Sequence, residues 1–125
     1  LSYRQVNRRY GPTATSYGKT PMTDSLPAPI AAYYAAETPS EIAQRFTQDG
    51  IAVDERNTHR GRDAIRQWRE EVAKISYSQE VLSVRRDGNR VTVMTRISGA
   101  FKGSPVELKN VFDLEGDQIA RLEIS

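Results

Sequence analysis

Residues 52–68 read AVDERNTHRGRDAIRQW. The stretch leaves a short apolar run, crosses a polar segment and enters an amphipathic helix. The run Ile51 to Glu55 alternates like a strand. From Gly61 to Ile75 the apolar residues Ile65, Trp68, Val72 and Ile75 recur at 3, 4 and 3. That spacing predicts a third helix, with Glu70 and Lys74 paired on another face. Asp54, Glu55 and His59 lie between, and His59 is the only histidine of the chain.

Upstream, two further helices are expected. LPAPIAAYYAAE is rich in Ala, with Pro27 and Pro29 suited to a first turn, and reads as a helix of about ten residues. TPSEIAQRFTQDG carries a capping box: Thr38 caps, Pro39 takes the first position and Glu41 reaches back. Ile42, Ala43 and Phe46 form its buried stripe, and Gly50 is expected to stop it. Downstream the period changes to two. YSQEVLSVRR, RVTVMTRIS, SPVELKNVFDL and QIARLEIS read as four strands joined at Asp87-Gly88-Asn89, Gly99 to Gly103 and Glu115-Gly116-Asp117. Three helices followed by an antiparallel meander give an α+β class, with the helices covering one face of a curved sheet.

The bulk properties narrow the function. A chain of 125 residues argues for one domain. It has no cysteine, which excludes disulfides, thiolate metal sites and a cysteine nucleophile. One histidine excludes a His-rich metal site. No apolar run approaches the ~20 residues of a membrane span, and the first residues lack the apolar middle of a secretory signal. The expectation is a soluble, cytoplasmic protein without membrane contact.

The net charge of +2 is unevenly spread. Residues 1–21 carry Arg4, Arg8, Arg9 and Lys19 and no acid; beyond them 14 basic residues face 16 acidic ones. The basic character belongs to this extension, so a nucleic-acid partner is not expected. Tyr3, Tyr10 and Tyr17 recur in it every seven residues. It reads either as a flexible extension or as an arm that packs its tyrosines on the domain. The domain proper is expected over 22–125.

The order of IAAYYAAE, IAQRFTQDGIAVDE, HRGRDAIRQW and NVFDLEGDQIARLEI resembles the nuclear transport factor 2-like superfamily, in its SnoaL-like branch. The resemblance covers about residues 26–124. It implies a cone-shaped α+β barrel with a pocket between the helices and the bent sheet. It also implies pairing of two copies through the sheet, hence a homodimer. Members include ketosteroid isomerase, polyketide cyclases, limonene epoxide hydrolase and binding domains without catalysis, so the fold alone does not give the function.

Matched to ketosteroid isomerase, Tyr33 stands for the carbonyl-polarising tyrosine, Glu55 for the proton-moving carboxylate and Asn110 for the second donor. Alternation puts Ile51, Val53 and Glu55 on one face, expected to be the inner one, and Asp54 on the other. Leu108, Asn110 and Phe112 likewise share a face. His59 is a further candidate, as an acid/base group or as packing. Val53, Trp68, Met94, Arg96, Leu108, Phe112 and Leu122 are expected to line the pocket. Arg96 there would need a carboxylate, with Glu55 one partner, or an anionic ligand. The epoxide-hydrolase pattern fails, because Ser98 and Ile124 stand where it needs acids. The resulting expectation is a pocket for an apolar, carbonyl-bearing molecule. If the protein is catalytic, the reaction is a proton transfer without metal or organic cofactor; the alternative is a non-catalytic binding or dimerisation module.

Overall fold

The computed structural model describes residues 26–125; the extension 1–21 lies outside the described residues. Among these are three helices: α1 (Ala28–Ala35), α2 (Pro39–Gln44) and α3 (Arg62–Val72). Six strands follow the expected order with one addition: β1 (Phe46–Asp54), β2 (Asn57–Arg60), β3 (Tyr77–Asp87), β4 (Arg90–Gly99), β5 (Val106–Glu115) and β6 (Gln118–Ile124).

The capping box forms as its residues dictate. Thr38 Oγ1 accepts from Glu41 N at 3.1 Å, and Glu41 Oε1 accepts from Thr38 N at 3.0 Å. The helix it starts is shorter than expected and ends at Gln44. Phe46 opens β1, and Gly50 lies inside that strand rather than after the helix. Its pairing to β6 shifts register between Phe46 and Ile51. A Cβ at Gly50 would stand 2.9 Å from Phe46 Cβ, so only glycine lets the chain turn back on itself here.

The segment Asn57–Arg60, which reads as a polar loop, is the short strand β2. It pairs antiparallel with β1, opposing Ala52 to His59 and Asp54 to Asn57. Glu55 and Arg56 form the two-residue connection, with φ of 54° and 68°. Two consecutive left-handed residues are what a tight, primed hairpin turn demands.

The sheet order is β2-β1-β6-β5-β4-β3. It is mixed, not antiparallel throughout: β1 runs parallel to β6. The chain closes the meander at β6 beside the first long strand, and β2, α3 and the strands β3 to β5 form the long connection that a parallel pair needs. The inner face carries the core. Ile30, Phe46, Ile65, Val72, Val91, Val93, Ile97, Phe112, Ile119 and Leu122 are fully shielded.

Candidate functional site

The inner face also holds polar groups, and their positions follow from strand parity. On β1 the buried residues are Phe46, Gly50, Ala52 and Asp54; Asp54 is only 4% exposed. Ile51, Val53 and Glu55 are half-buried. The alternation is as expected, but the faces are exchanged. Asp54 turns inward, whereas Glu55 has left the strand and belongs to the hairpin turn. Glu55 borders a surface cavity of about 390 Å³ with Val53, Arg56, Glu123, Ile124 and Ser125. Val53 therefore lines an outer groove rather than the interior.

α3 brings the partners of Asp54. Ile65, Trp68, Arg69 and Val72 form its buried face. Trp68 Nε1 donates to Asp54 Oδ2 at 3.0 Å. The His59 ring stacks on the Trp68 indole, with centroids 5.4 Å apart and planes 16° off parallel. The alignment of His59 with Ala52 across the β1–β2 ladder puts its ring on this inner side. Arg69, 1% exposed, crosses the same space. Its guanidinium carbon lies 4.8 Å from the Trp68 ring centroid and 5.7 Å from that of Tyr33, and its Nη1 donates to the Tyr33 hydroxyl at 3.2 Å.

α1 supplies two tyrosines. Tyr33 and Tyr34 are both buried and meet edge to face at 5.0 Å, and each packs edge-on against Phe112. Burial pushes the Tyr33 phenol up to about 12; the Arg69 cation pulls it down and the Asp54 carboxylate pushes it up. Tyr34 lies well above its ordinary value of 10.0, through burial and the neighbouring Tyr33, against opposing contributions from Arg69 and Asn110. Both hydroxyls thus keep their protons at neutral pH. On the floor, Asn110 of β5 is fully buried and its Nδ2 donates to Thr95 Oγ1 at 3.1 Å.

The structure therefore gathers Tyr33, His59, Trp68, Asn110, Leu108, Phe112 and Leu122 on the inner side. It does not bring Glu55, Val53, Met94 or Arg96 there. On β4 the buried positions are Val91, Val93, Thr95 and Ile97, so Met94 and Arg96 face outward. Arg96 pairs across the strands with Glu80 at 3.2 Å and Glu107 at 3.3 Å, both half-exposed. Expecting Arg96 inside fails because the strand offers two plausible faces, one with Val and Ile and one with Thr, Met and Ser. Asp54, Arg69, Gln79 and Thr95 are the buried polar residues that the sequence reading left outside the site. Arg69 had a signal: it stands four residues after Ile65 and three before Val72, on the buried stripe. Among the described residues no group of three or more His, Asp or Glu side chains gathers to hold a metal ion, and no helix is long and apolar enough to cross a membrane.

The family model for the SnoaL-like domain matches residues 30–122. The chain belongs to the SnoaL-like family. A crystal structure of a polyketide cyclase candidate from Sinorhizobium meliloti is 35% identical, with a TM-score of 0.73 over 80% of this chain and 95% of that one. A protein of Catenulispora acidiphila with a ketosteroid isomerase-like fold, solved with trimethylamine, is 21% identical with a TM-score of 0.71 over 81% and 86%. The second likeness speaks for the fold alone. No curated protein matches the chain. The SnoaL-like domain is thus built here around a buried Asp–Trp–Arg–Tyr cluster.

The tyrosines give this SnoaL-like domain an alkaline signature. Between about pH 10 and about 12 an unfolded Tyr33 ionises while the folded one stays protonated. Stability contributed by the neutral phenol is complete below pH 10 and declines as the pH rises through that window. Tyrosinate absorbance of the native protein should show at least two tyrosines that do not titrate near pH 10. All six tyrosines titrating normally, with the fold intact by circular dichroism, would contradict the burial of this cluster.

Proposed function

We propose that the inner face around Asp54 binds a small apolar molecule bearing a carbonyl group and moves a proton on it. The reaction class is isomerisation, cyclisation or dehydration, run by side chains alone. The supporting observation is the inward carboxylate of Asp54, 4% exposed, in a space shared with a buried guanidinium and neutral tyrosines. The family membership and the likeness to a polyketide cyclase candidate favour the same class.

The chemistry follows from the donors. Asp54 accepts the proton from the carbon next to the ligand carbonyl. Negative charge then collects on the carbonyl oxygen. Tyr33 keeps its proton and receives a hydrogen bond from Arg69, which polarises its O–H toward donation. Asn110 donates to Thr95 and hydrogen-bonds Tyr34, which holds the second phenol beside Tyr33. These groups suit the developing oxyanion. The base assigned by resemblance to Glu55 is thereby reassigned to its neighbour. His59 and Trp68 form a flat wall beside it.

The non-catalytic reading draws on the same contacts. The bonds Trp68–Asp54 and Arg69–Tyr33 hold the cluster together without a ligand. Asp54→Asn separates the two, since it keeps the shape and removes the basicity. With a β,γ-unsaturated ketone as probe, the wild type should turn over and the variant should lose on the order of 10²–10⁴ in kcat. Glu55→Gln should change kcat by less than about threefold. Absence of turnover of any carbonyl probe by the wild type, with probe binding retained, would favour the binding module.

Assembly through the sheet belongs to the same proposal. The outer face presents Met94 and Val111, half-buried, among the ion pairs Glu80–Arg96–Glu107 and Arg90–Asp113. Two copies meeting there would cover the apolar strip and leave the charged ladder at the rim. Light scattering at micromolar concentration should give twice the chain mass; a monomer would refute the pairing.

A further inference from the structure

Helix α1, with the sequence APIAAYYA, carries no charged residue. Its inner side buries Ile30, Tyr33 and Tyr34. Its other side is apolar as well: Ala28 and Ala35 are exposed, and Ala31 and Ala32 are half-buried. A helix that is apolar all round is ordinarily covered on every side. Ala32, Ala35 and Ala36 floor a surface groove of about 370 Å³, bordered by Glu37 and by Glu41 and Arg45 of the α2 region.

The groove has two acids to one base. Glu41 Oε1 accepts from the backbone N–H groups of Glu37 and Thr38, at 2.8 and 3.0 Å. Neither Glu37 nor Glu41 pairs with a cation among the described residues. Arg45 turns its Nε to the Glu41 carbonyl oxygen at 3.2 Å. A second copy meeting this groove with its own would set acids against acids. The occupant that fits is basic, with an apolar ring to lay on the alanines.

We propose that residues 17–21 of the same chain, YGKTP, occupy the groove, with the Tyr17 ring on the alanine floor and Lys19 beside Glu37 and Glu41. Residues 1–21 hold four basic residues and no acid, which complements the groove. The chain outside the described residues joins the fold at Leu26, where α1 begins. The eight residues of α1 rise about 12 Å. Residues 22–25 suffice to reverse direction, and 17–21 span about 16 Å when extended, enough to return along the helix. Tyr10 lies seven residues further back, about 23 Å of extended chain, and overshoots the groove. A tyrosine covers apolar surface with its ring while its hydroxyl stays in water. The segment thereby braces the outer side of the helix that carries Tyr33 and Tyr34 inward. This docking is independent of the proton transfer proposed above.

The chain has no cysteine, so two introduced cysteines report only on each other. A disulfide needs Cα atoms within about 7 Å. The full-length chain carrying Tyr17→Cys and Ala35→Cys should form an intrachain disulfide on mild oxidation. It should do so about tenfold faster than the chain carrying Tyr17→Cys and Gln67→Cys, because docking raises the effective concentration at one place. Ala35 and Gln67 are both exposed, so cysteine at either leaves the core intact. Adding Lys19→Glu to the first pair should slow the link, and adding Glu37→Lys as well should restore it. Peptide mass spectrometry and a non-reducing gel read the products. Equal rates for the two pairs would overturn the proposal, as would indifference to Lys19→Glu. Linked dimers as the main product at low protein concentration would also overturn it, by assigning the groove to the extension of another copy.

Discussion

A guanidinium cannot be taken out of water into a protein core without groups to replace its hydration. Arg69 is 1% exposed, and that single fact constrains the residues around it. The Trp68 and Tyr33 rings offer their faces, and the Tyr33 hydroxyl accepts from Nη1. The Asp54 carboxylate and the Arg69 cation both act on Tyr33, with opposite sign. Trp68, next to Arg69 on α3, ties Asp54 by a 3.0 Å hydrogen bond. Removing any one of these groups leaves another buried and poorly satisfied, so helix α3, strand β1 and helix α1 are held in mutual register by polar contacts as well as by packing.

The strained hairpin after β1 serves the same arrangement. Glu55 and Arg56 adopt positive φ, which costs non-glycine residues of the order of 1 kcal/mol each. In return β1 ends with Asp54 facing in, and β2 returns at once to lay His59 across Trp68. A longer and more relaxed turn would not bring the imidazole back opposite Ala52. Local strain is thus set against a well-defined site geometry.

Much of this was legible in the residues. The capping box, the stripe of α3 and the four long strands follow from spacing alone, because capping and periodicity are local properties. The family order of the elements is likewise carried by short motifs. What failed was parity on two strands. Alternation says that Ile51, Val53 and Glu55 share a face, but it does not say which face is inner when both offer apolar residues. On β1 the small Ala52 marks the inner side, since the Trp68 and His59 rings need the space; on β4 the inner residues are Val91, Val93 and Ile97, and Met94 and Arg96 lie outside. The strand Asn57–Arg60 carries no β-branched apolar residue, so nothing in its composition announces it. The buried Arg69 and Gln79 contradict their own polarity, and their burial depends on partners far away in sequence.

The sole tryptophan makes the central arrangement directly observable, because the indole N–H of Trp68 gives one resonance of its kind. Amide and indole exchange followed by nuclear magnetic resonance should find this proton protected from solvent. Its shift should move in Asp54→Asn and stay in place in Glu55→Gln. A rapidly exchanging indole proton, or one that responds to Glu55→Gln and ignores Asp54→Asn, would show that the inward carboxylate is not Asp54.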